Sequence, residues 1–167
     1  MNRKVFQLLV ENSSGVLSRI SGLFSRRGYN IESITAGVTA DPRYTRITII
    51  TSGDDEILEQ IEHQVEKLVD VRNIKVLEPK DSVYRELCLI KVEVTDQNRE
   101  GLISISNIFR ANIIDVSEKS MIVELTGNQS KIEAFLGLLS NYTIMELART
   151  GITGLSRGSS DVVWLED

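Results

Sequence analysis

Side chains that commonly carry out chemistry are scarce in this chain of 167 residues. It contains one cysteine, Cys88, and one histidine, His63. Because they fall in different halves of the chain, neither a Cys-His nucleophile pair nor a zinc site of side-chain ligands is expected within one copy. His63 lies opposite the apolar stripe of its predicted helix, and Cys88 belongs to an alternating apolar strand. We therefore expect a solvated histidine, a core cysteine, no catalytic residue and no metal site.

Long apolar runs are also missing. Val5 to Val10 has the length of a strand and ends at Glu11, so neither a signal peptide nor a membrane helix is predicted. A lone cysteine cannot form an internal disulfide. Together these absences predict a cytoplasmic protein with no membrane partner.

An excess of positive charge is the third absence. Residues 1–80 carry 11 Lys and Arg against 11 Asp and Glu, and residues 81–167 carry 8 against 13. Phosphate backbones are bound through clustered positive charge, so nucleic acid is a poor partner. The composition, with 41% hydrophobic and 26% charged residues, is typical of an ordinary globular protein.

The elements that are present repeat in one order. Strands are predicted at 4–10, 30–39, 44–51 and 71–77, with helices at 16–27 and from Asp54 onward, where the carboxylates of 54–56 suit a helix start. The same order returns as strands 84–95, 113–117, 121–126 and 144–148 and helices 101–109 and 128–139. In the second copy, Gly101 parallels Gly15 as a turn before a helix. The sequence thus predicts an α+β fold of two tandem βαββαβ ferredoxin-like sandwiches.

The domain boundaries follow from this repeat. We expect a first domain at 1–78, a short polar linker at 79–82 and a second domain at 83–167. The glycines of 151–158 match no phosphate-binding spacing, and this end of the chain is expected to be flexible or ordered by a partner. The apolar run 162–165 is expected to dock on the body or on a partner, and the sequence leaves that choice open.

The connection from Glu11 to the first helix is the most informative stretch. Ser13 or Ser14 is expected to cap the helix, and Gly28 to end it in a left-handed conformation. A turn at Gly15 with free amides at a helix start is a natural receptor for a carboxylate, through its unpaired N–H groups and the helix dipole. A tight β-to-α connection without any ligand remains the alternative at this point.

Particular residues of this stretch carry a family resemblance. Asn12-x-x-Gly15-Val16-Leu17, followed by Phe-Ser-Arg-Arg-Gly-Tyr-Asn-Ile-Glu-Ser at 24–33, resembles the small regulatory subunit of acetohydroxyacid synthase, also called acetolactate synthase. Further similar segments lie at 58–61, 67–71, 113–116 and 154–158. The first domain resembles an ACT domain, a βαββαβ module that binds amino acids and regulates enzymes.

The resemblance implies a regulatory chain that is not itself catalytic. It would bind and activate the catalytic large subunit of acetolactate synthase, in branched-chain amino acid biosynthesis, and confer feedback inhibition by valine. Thiamine diphosphate, FAD and magnesium would belong to that partner, with no cofactor on this chain. In the family, the effector binds between two ACT domains paired side by side in a homodimer. The implied effector residues are Asn12, Gly15, Val16 and Leu17 of one copy and Asn30 and Ile31 of the other.

Three other classes of protein share part of this pattern. An RNA-recognition module shares the βαββαβ order, but residues 45–51 lack the stacking aromatics it needs, and the pI is about 5.0. A small enzyme of ferredoxin-like fold would need a cluster of histidine or cysteine residues, which this sequence lacks. A stand-alone amino-acid sensor that controls another enzyme is disfavoured only by the family-like motifs, and stays open.

Overall fold

The computed structural model describes residues 1–164, which form two compact units. One unit comprises Met1–Val83 together with the segment that begins at Thr153, and the other comprises Tyr84–Ile152. None of the helices within residues 1–164 combines the length and the hydropathy of a membrane span.

The first unit has the predicted βαββαβ order. Its elements are β1 (Asn2–Glu11), α1 (Val16–Arg26), β2 (Asn30–Val38), β3 (Tyr44–Gly53), α2 (Asp55–Glu66) and β4 (Val71–Val76). The strands form an antiparallel sheet in the order β2-β3-β1-β4. This interleaved order places β1 and β3 in the centre of the sheet and β2 at an edge.

Alternation along β1 sorts its side chains onto the two faces of this sheet. Phe6, Leu8 and Val10 point toward the helices and are buried. Four apolar residues of α1 complete this core: Val16, Ile20, Leu23 and Phe24. Leu17, which follows Val16, is instead exposed. Burial of one apolar stripe per helix therefore holds the helical layer on the sheet.

The sequence predicted the end of α1 and the start of α2. Gly28 has φ of 68° and ends α1 as predicted, because a left-handed residue is free of steric cost only without a Cβ. The Asp54 side chain accepts a hydrogen bond from the Ile57 amide at 2.9 Å, which confirms a capping role for the acidic helix start. His63, on α2, is exposed as expected.

The second unit repeats the order and the sheet. It contains β5 (Ser82–Glu93), α3 (Arg99–Ile108), β6 (Asn112–Val116), β7 (Ser120–Gly127), α4 (Gln129–Leu138) and β8 (Ile144–Arg149). The strand order β6-β7-β5-β8 corresponds to that of the first sheet. Cys88 lies in its core, as predicted, with Leu102 and Phe135 among its buried neighbours. The predicted fold class, two tandem ferredoxin-like sandwiches, is confirmed.

One element of the repeat was predicted wrongly. Gly101 lies inside α3, which begins at Arg99, and it is not among the residues with positive φ. A Cβ at this position would lie 2.6 Å from the Tyr142 hydroxyl. The glycine therefore provides room for a close side-chain approach within the second unit and makes no turn.

The linker and the tail are more ordered than the sequence indicated. Pro79–Asp81 forms a short 3-10 turn, and β5 begins directly at Ser82. The tail contains a short strand, β9 (Thr153–Ser156). This segment groups with the first unit, whereas the sequence assigned it to a domain at 83–167 with a flexible end.

Hydrogen bonds explain this grouping of the tail. The Gln7 side chain donates to the Gly154 carbonyl, and the Lys75 ammonium donates to the Ser156 hydroxyl at 3.1 Å. Lys75 also pairs with Asp161 at 3.4 Å, and the hydrogen bond from Ser156 lowers the pKa of Asp161. Beyond these contacts, residues 162–164 expose apolar side chains, and Leu165 of the predicted docking run lies outside the described residues.

Candidate functional site

The end of β1 is fixed to its neighbours before the turn begins. The Glu11 amide donates to the Asp70 carbonyl at 2.9 Å, and the Asn12 amide donates to the Arg43 carbonyl at 2.7 Å. The Asn12 side chain donates to the Pro42 carbonyl at 2.9 Å and accepts from the Thr45 hydroxyl at 3.3 Å. Each polar atom of an asparagine side chain can make two hydrogen bonds, so within residues 1–164 Asn12 retains one donor and one acceptor.

Gly15 shapes the start of α1. It has φ of 84° and ψ of −6°, and no side chain of the described residues caps the helix. The predicted cap by Ser13 or Ser14 is therefore wrong. The last residue before the helix is the left-handed glycine itself, so both serines lie too early in the turn to cap the first amides, and both are exposed.

The amides of this helix start are left with few partners. The Val16 amide reaches the Ser13 carbonyl only at 3.5 Å. Within the described residues, the amides of Leu17 and Ser18 have no acceptor. Unpaired N–H groups at the positive end of a helix attract anions. These amides favour a carboxylate at the turn, and the predicted effector site stays a prediction.

The two apolar residues after the glycine have different surroundings. Val16 is buried in the core and Leu17 is 49% exposed. Val16 therefore offers the site its backbone, whereas Leu17 offers an apolar side chain next to the turn.

Asn30 and Ile31 lie at the opposite end of the sheet in the same chain. Asn30 pairs with Ser52 of β3, and Ser52 pairs with Arg3 of β1. Arg3 and Glu11 are eight residues apart on β1, which is about 27 Å at the rise of an antiparallel strand. One copy of the chain therefore brings Asn12, Gly15, Val16 and Leu17 together and leaves Asn30 and Ile31 apart from them.

The sequence analysis did not predict that Arg19 and Asp70 lie near the turn. The Arg19 guanidinium contacts Asp70 through two hydrogen bonds, Nε to Oδ2 at 2.5 Å and Nη2 to Oδ1 at 3.1 Å. The hydrogen bond to Asp70 raises the pKa of Arg19, so the guanidinium stays positively charged. The signal in the sequence was the four-residue spacing from Gly15 to Arg19, which places both on one side of α1.

Other reactive groups do not add to this site. Burial raises the pKa of the Cys88 thiol, which favours the unreactive protonated form. In the described part of the chain, no three side chains of His, Cys, Asp and Glu gather closely enough to hold a metal ion.

Comparison with known families accounts for both units. Residues 6–73 match the model of the AHAS small subunit-like ACT domain. Residues 85–158 match the model of the small subunit of acetolactate synthase.

Individual relatives extend this likeness over nearly the whole chain. The acetolactate synthase isozyme 3 small subunit of Escherichia coli is 46% identical, over 93% of this chain and 96% of its own length. The acetolactate synthase small subunit of Haemophilus influenzae is 41% identical, over 96% and 99%. The crystal structure of the Thermotoga maritima acetolactate synthase small subunit superposes with a TM-score of 0.88 at 41% identity, covering 95% of this chain and 99% of that chain. The chain belongs to the family of acetolactate synthase small subunits.

Proposed function

We propose that this chain is a non-catalytic regulatory subunit that activates the catalytic large subunit of acetolactate synthase and makes it sensitive to inhibition by valine. The observation that carries the effector part is the uncapped start of α1 after Gly15. In a family with an ACT domain at this position, free amides at a helix start fit the carboxylate of an amino acid. The cofactors of the reaction, thiamine diphosphate, FAD and magnesium, would reside on the large subunit.

The proposed effector site is shared between two copies of the chain. Asn12, Gly15, Val16 and Leu17 of one copy would hold the carboxylate end of valine. Asn30 and Ile31 of the other copy would contact its ammonium group and side chain, since an asparagine offers both a donor and an acceptor. The distance between the two groups within one chain supports a site that needs two copies.

The edge strand β2 supports a side-by-side dimer. Ile34 and Val38 on this strand are 39% and 60% exposed, and an edge strand offers unpaired backbone groups to another chain. A twofold axis perpendicular to the sheet makes two β2 strands antiparallel. The first residue of β2 in one copy then lies next to the last residue of β2 in the other copy.

This pairing would unite the two halves of the site. Val38 pairs with Thr45, and Thr45 pairs with Val10, so the last residue of β2 lies at the Gly15 end of the sheet. Antiparallel pairing of two β2 strands would bring the start of the partner's β2, where Asn30 and Ile31 lie, toward this end. The geometry therefore favours a homodimer through the first unit.

A reconstituted assay tests the proposal directly. The catalytic large subunit from the same host would be assayed for acetolactate formation with and without this chain, and with and without valine. We expect this chain to raise the activity and valine to lower it only when this chain is present. If the chain binds valine but changes no synthase activity, it is a stand-alone sensor and the proposal is wrong.

The dimer has its own measurement. Light scattering of the isolated chain at micromolar concentration, with valine present, should give the mass of two chains. A monomer under these conditions would contradict the shared site, because neither copy would then supply Asn30 and Ile31 to the other. The cytoplasmic location expected from the sequence stays a prediction.

A further inference from the structure

The side chain of Arg19 lies against the open side of Gly15. A Cβ added to Gly15 would lie 2.9 Å from Nη1 of Arg19 and 3.6 Å from its Cζ. The missing side chain of the glycine therefore makes room for a guanidinium. This cation borders the same turn whose helix amides have few acceptors.

Asp70 holds the guanidinium in one orientation. It engages Nε and Nη2, and its side chain is 10% exposed against 48% for Arg19. The Asp70 carbonyl also accepts the Glu11 amide, which ties Asp70 to the end of β1. Asp70 is therefore held through both its backbone and its side chain. Because its carboxylate is held in place, the guanidinium of Arg19 is held as well.

This arrangement leaves one nitrogen of Arg19 available. Nη1, the nitrogen nearest Gly15, has no hydrogen-bond acceptor within residues 1–164. A guanidinium nitrogen of this kind carries two N–H donors that suit a carboxylate. The free donors, the turn amides and the helix dipole all favour the same kind of ligand at the same place.

We propose that Arg19 is an effector-binding residue whose Nη1 donates a hydrogen bond to the α-carboxylate of the bound amino acid, with Asp70 as the residue that positions it. This inference rests on the proposed function, because it assigns a further contact in the same effector site. Asp70 offsets much of the charge of Arg19. The gain is therefore one short-range, charge-assisted hydrogen bond, and long-range attraction contributes little.

Valine and valinamide, a probe that lacks the negative charge, separate this role from a structural one. Their affinities would be measured by calorimetry on the full chain and on Arg19→Gln, Arg19→Lys and Arg72→Gln. The last variant is the matched control, because it breaks the exposed ion pair of Arg72 with Glu11 at the same end of the sheet. Circular dichroism establishes that each variant is folded.

We expect Arg19→Gln to bind valine about tenfold more weakly, the loss of one charge-assisted hydrogen bond. The loss for valinamide should be smaller, because its carboxamide oxygen still accepts a hydrogen bond but carries no negative charge. Arg19→Lys should recover part of the loss, since it keeps the charge without the planar fork. Arg72→Gln should change neither affinity. An equal loss for both ligands, or an unchanged valine affinity in a folded Arg19→Gln protein, would overturn the role of Arg19.

A measurement on the unaltered chain covers the case in which Arg19→Gln does not fold. Arginine side chains labelled with ¹⁵N would be followed by NMR during a valine titration, with the Arg19 signals assigned from Arg19→Lys. A valine-dependent shift of the Arg19 guanidinium is expected, and no shift at saturation would overturn the inference. Failure of the parent to bind valine at all would overturn the proposed function, and this inference with it.

Discussion

The first β-to-α connections of the two units are built differently although the units share one fold. In the first unit, Gly15 has positive φ and the turn before α1 is open. In the second unit, the side-chain oxygen of Asn98 accepts a hydrogen bond from the Thr95 backbone amide at 2.7 Å. The backbone amide of Asn98 donates to the Thr95 hydroxyl at 3.3 Å. The second connection thus uses its polar side chains within its own loop. A repeated fold therefore does not imply a repeated site.

One bidentate ion pair from each unit shows a similar difference. Arg19 and Asp70 meet beside the Gly15 turn. Arg149 of β8 instead contacts Glu86 at the start of β5, with Nε to Oε1 at 2.7 Å and Nη2 to Oε2 at 3.0 Å. Glu86 is seven residues before Glu93, where β5 ends, so this pair is remote from the turn before α3. We infer a binding role for the first pair and a structural role for the second.

The largest expected effect is on stability, from Arg149→Met. Glu86 is buried, with a side chain 4% exposed, and this variant leaves its charge without a partner. Removing one member of a buried pair costs about 3–5 kcal/mol, which urea denaturation would measure. Lys91→Met is the control, because Lys91 pairs with the exposed Glu146 and should cost no more than about 1 kcal/mol. Equal losses in the two variants would contradict a structural role for Glu86.

Gly15→Asp is expected to abolish valine inhibition while the synthase is still activated. The new carboxylate occupies the proposed anion site and lies beside Arg19, where it competes with the effector. A like charge in a partly dry site repels by a few kcal/mol, and about 3 kcal/mol weakens binding on the order of 100-fold.

Calorimetry with valine and an acetolactate assay would measure the two effects of Gly15→Asp. Circular dichroism must first show a folded protein, because φ is positive at Gly15 and a side chain there is strained. A folded variant that binds valine as tightly as the parent would show that the turn is a mere connection.

Gly101→Ala tests the glycine that resembled Gly15 in the sequence. Its Cβ would crowd the Tyr142 hydroxyl, and overpacking of this kind costs about 1–3 kcal/mol, partly offset by the better helix propensity of alanine. We expect a net loss of about 1 kcal/mol in urea denaturation, with unchanged valine affinity. In a Tyr142→Phe background, the same substitution should stabilise the protein.

Gly137→Ala is the matched control for that experiment. A Cβ at Gly137 meets nothing within 4 Å, so the variant should gain about 1 kcal/mol from helix propensity alone. A loss of valine affinity in Gly101→Ala would show that the second unit carries a turn-like site after all.

The smallest effects concern the helix caps. Asp54 and Asn128 occupy equivalent positions in the two units, and each accepts a backbone amide at 2.9 Å. Replacing either by alanine should cost about 1 kcal/mol in the free energy of unfolding, from urea titrations. Ser13→Ala and Ser14→Ala should cost almost nothing, because neither serine caps α1. A loss of 1 kcal/mol from either serine would mean that α1 is capped in solution.

The sequence predicted the fold because its local signals agree with each other. Alternation along the strand of Cys88 required one buried face, and Gly28 and Asp54 marked helix ends by their own conformational and hydrogen-bonding preferences. These are short-range properties, so one sequence suffices to read them. Burial of Cys88 and exposure of His63 followed from the same periodicities.

The errors arose where a local signal has two meanings. Gly101 was read as a turn, but a glycine also serves where another side chain comes close, here that of Tyr142. Serine is a good helix cap, but the residue directly before α1 is the left-handed Gly15, and Ser13 and Ser14 lie too early in the turn. The tail lacked a strong pattern, and contacts with Gln7 and Lys75, nearly 150 and more than 80 residues away along the chain, placed it with the first unit.

The element order, the two cores and the glycine turn could be predicted, because each depends on residues close together in the chain. The position of Arg19 over Gly15, held by Asp70, follows from the folded chain alone, since that contact joins α1 to the residue before β4. Only the strand register decided that Asn30 and Ile31 lie about 27 Å along the sheet from the turn. Hydrogen bonding between distant strands sets this distance, and no local pattern encodes it.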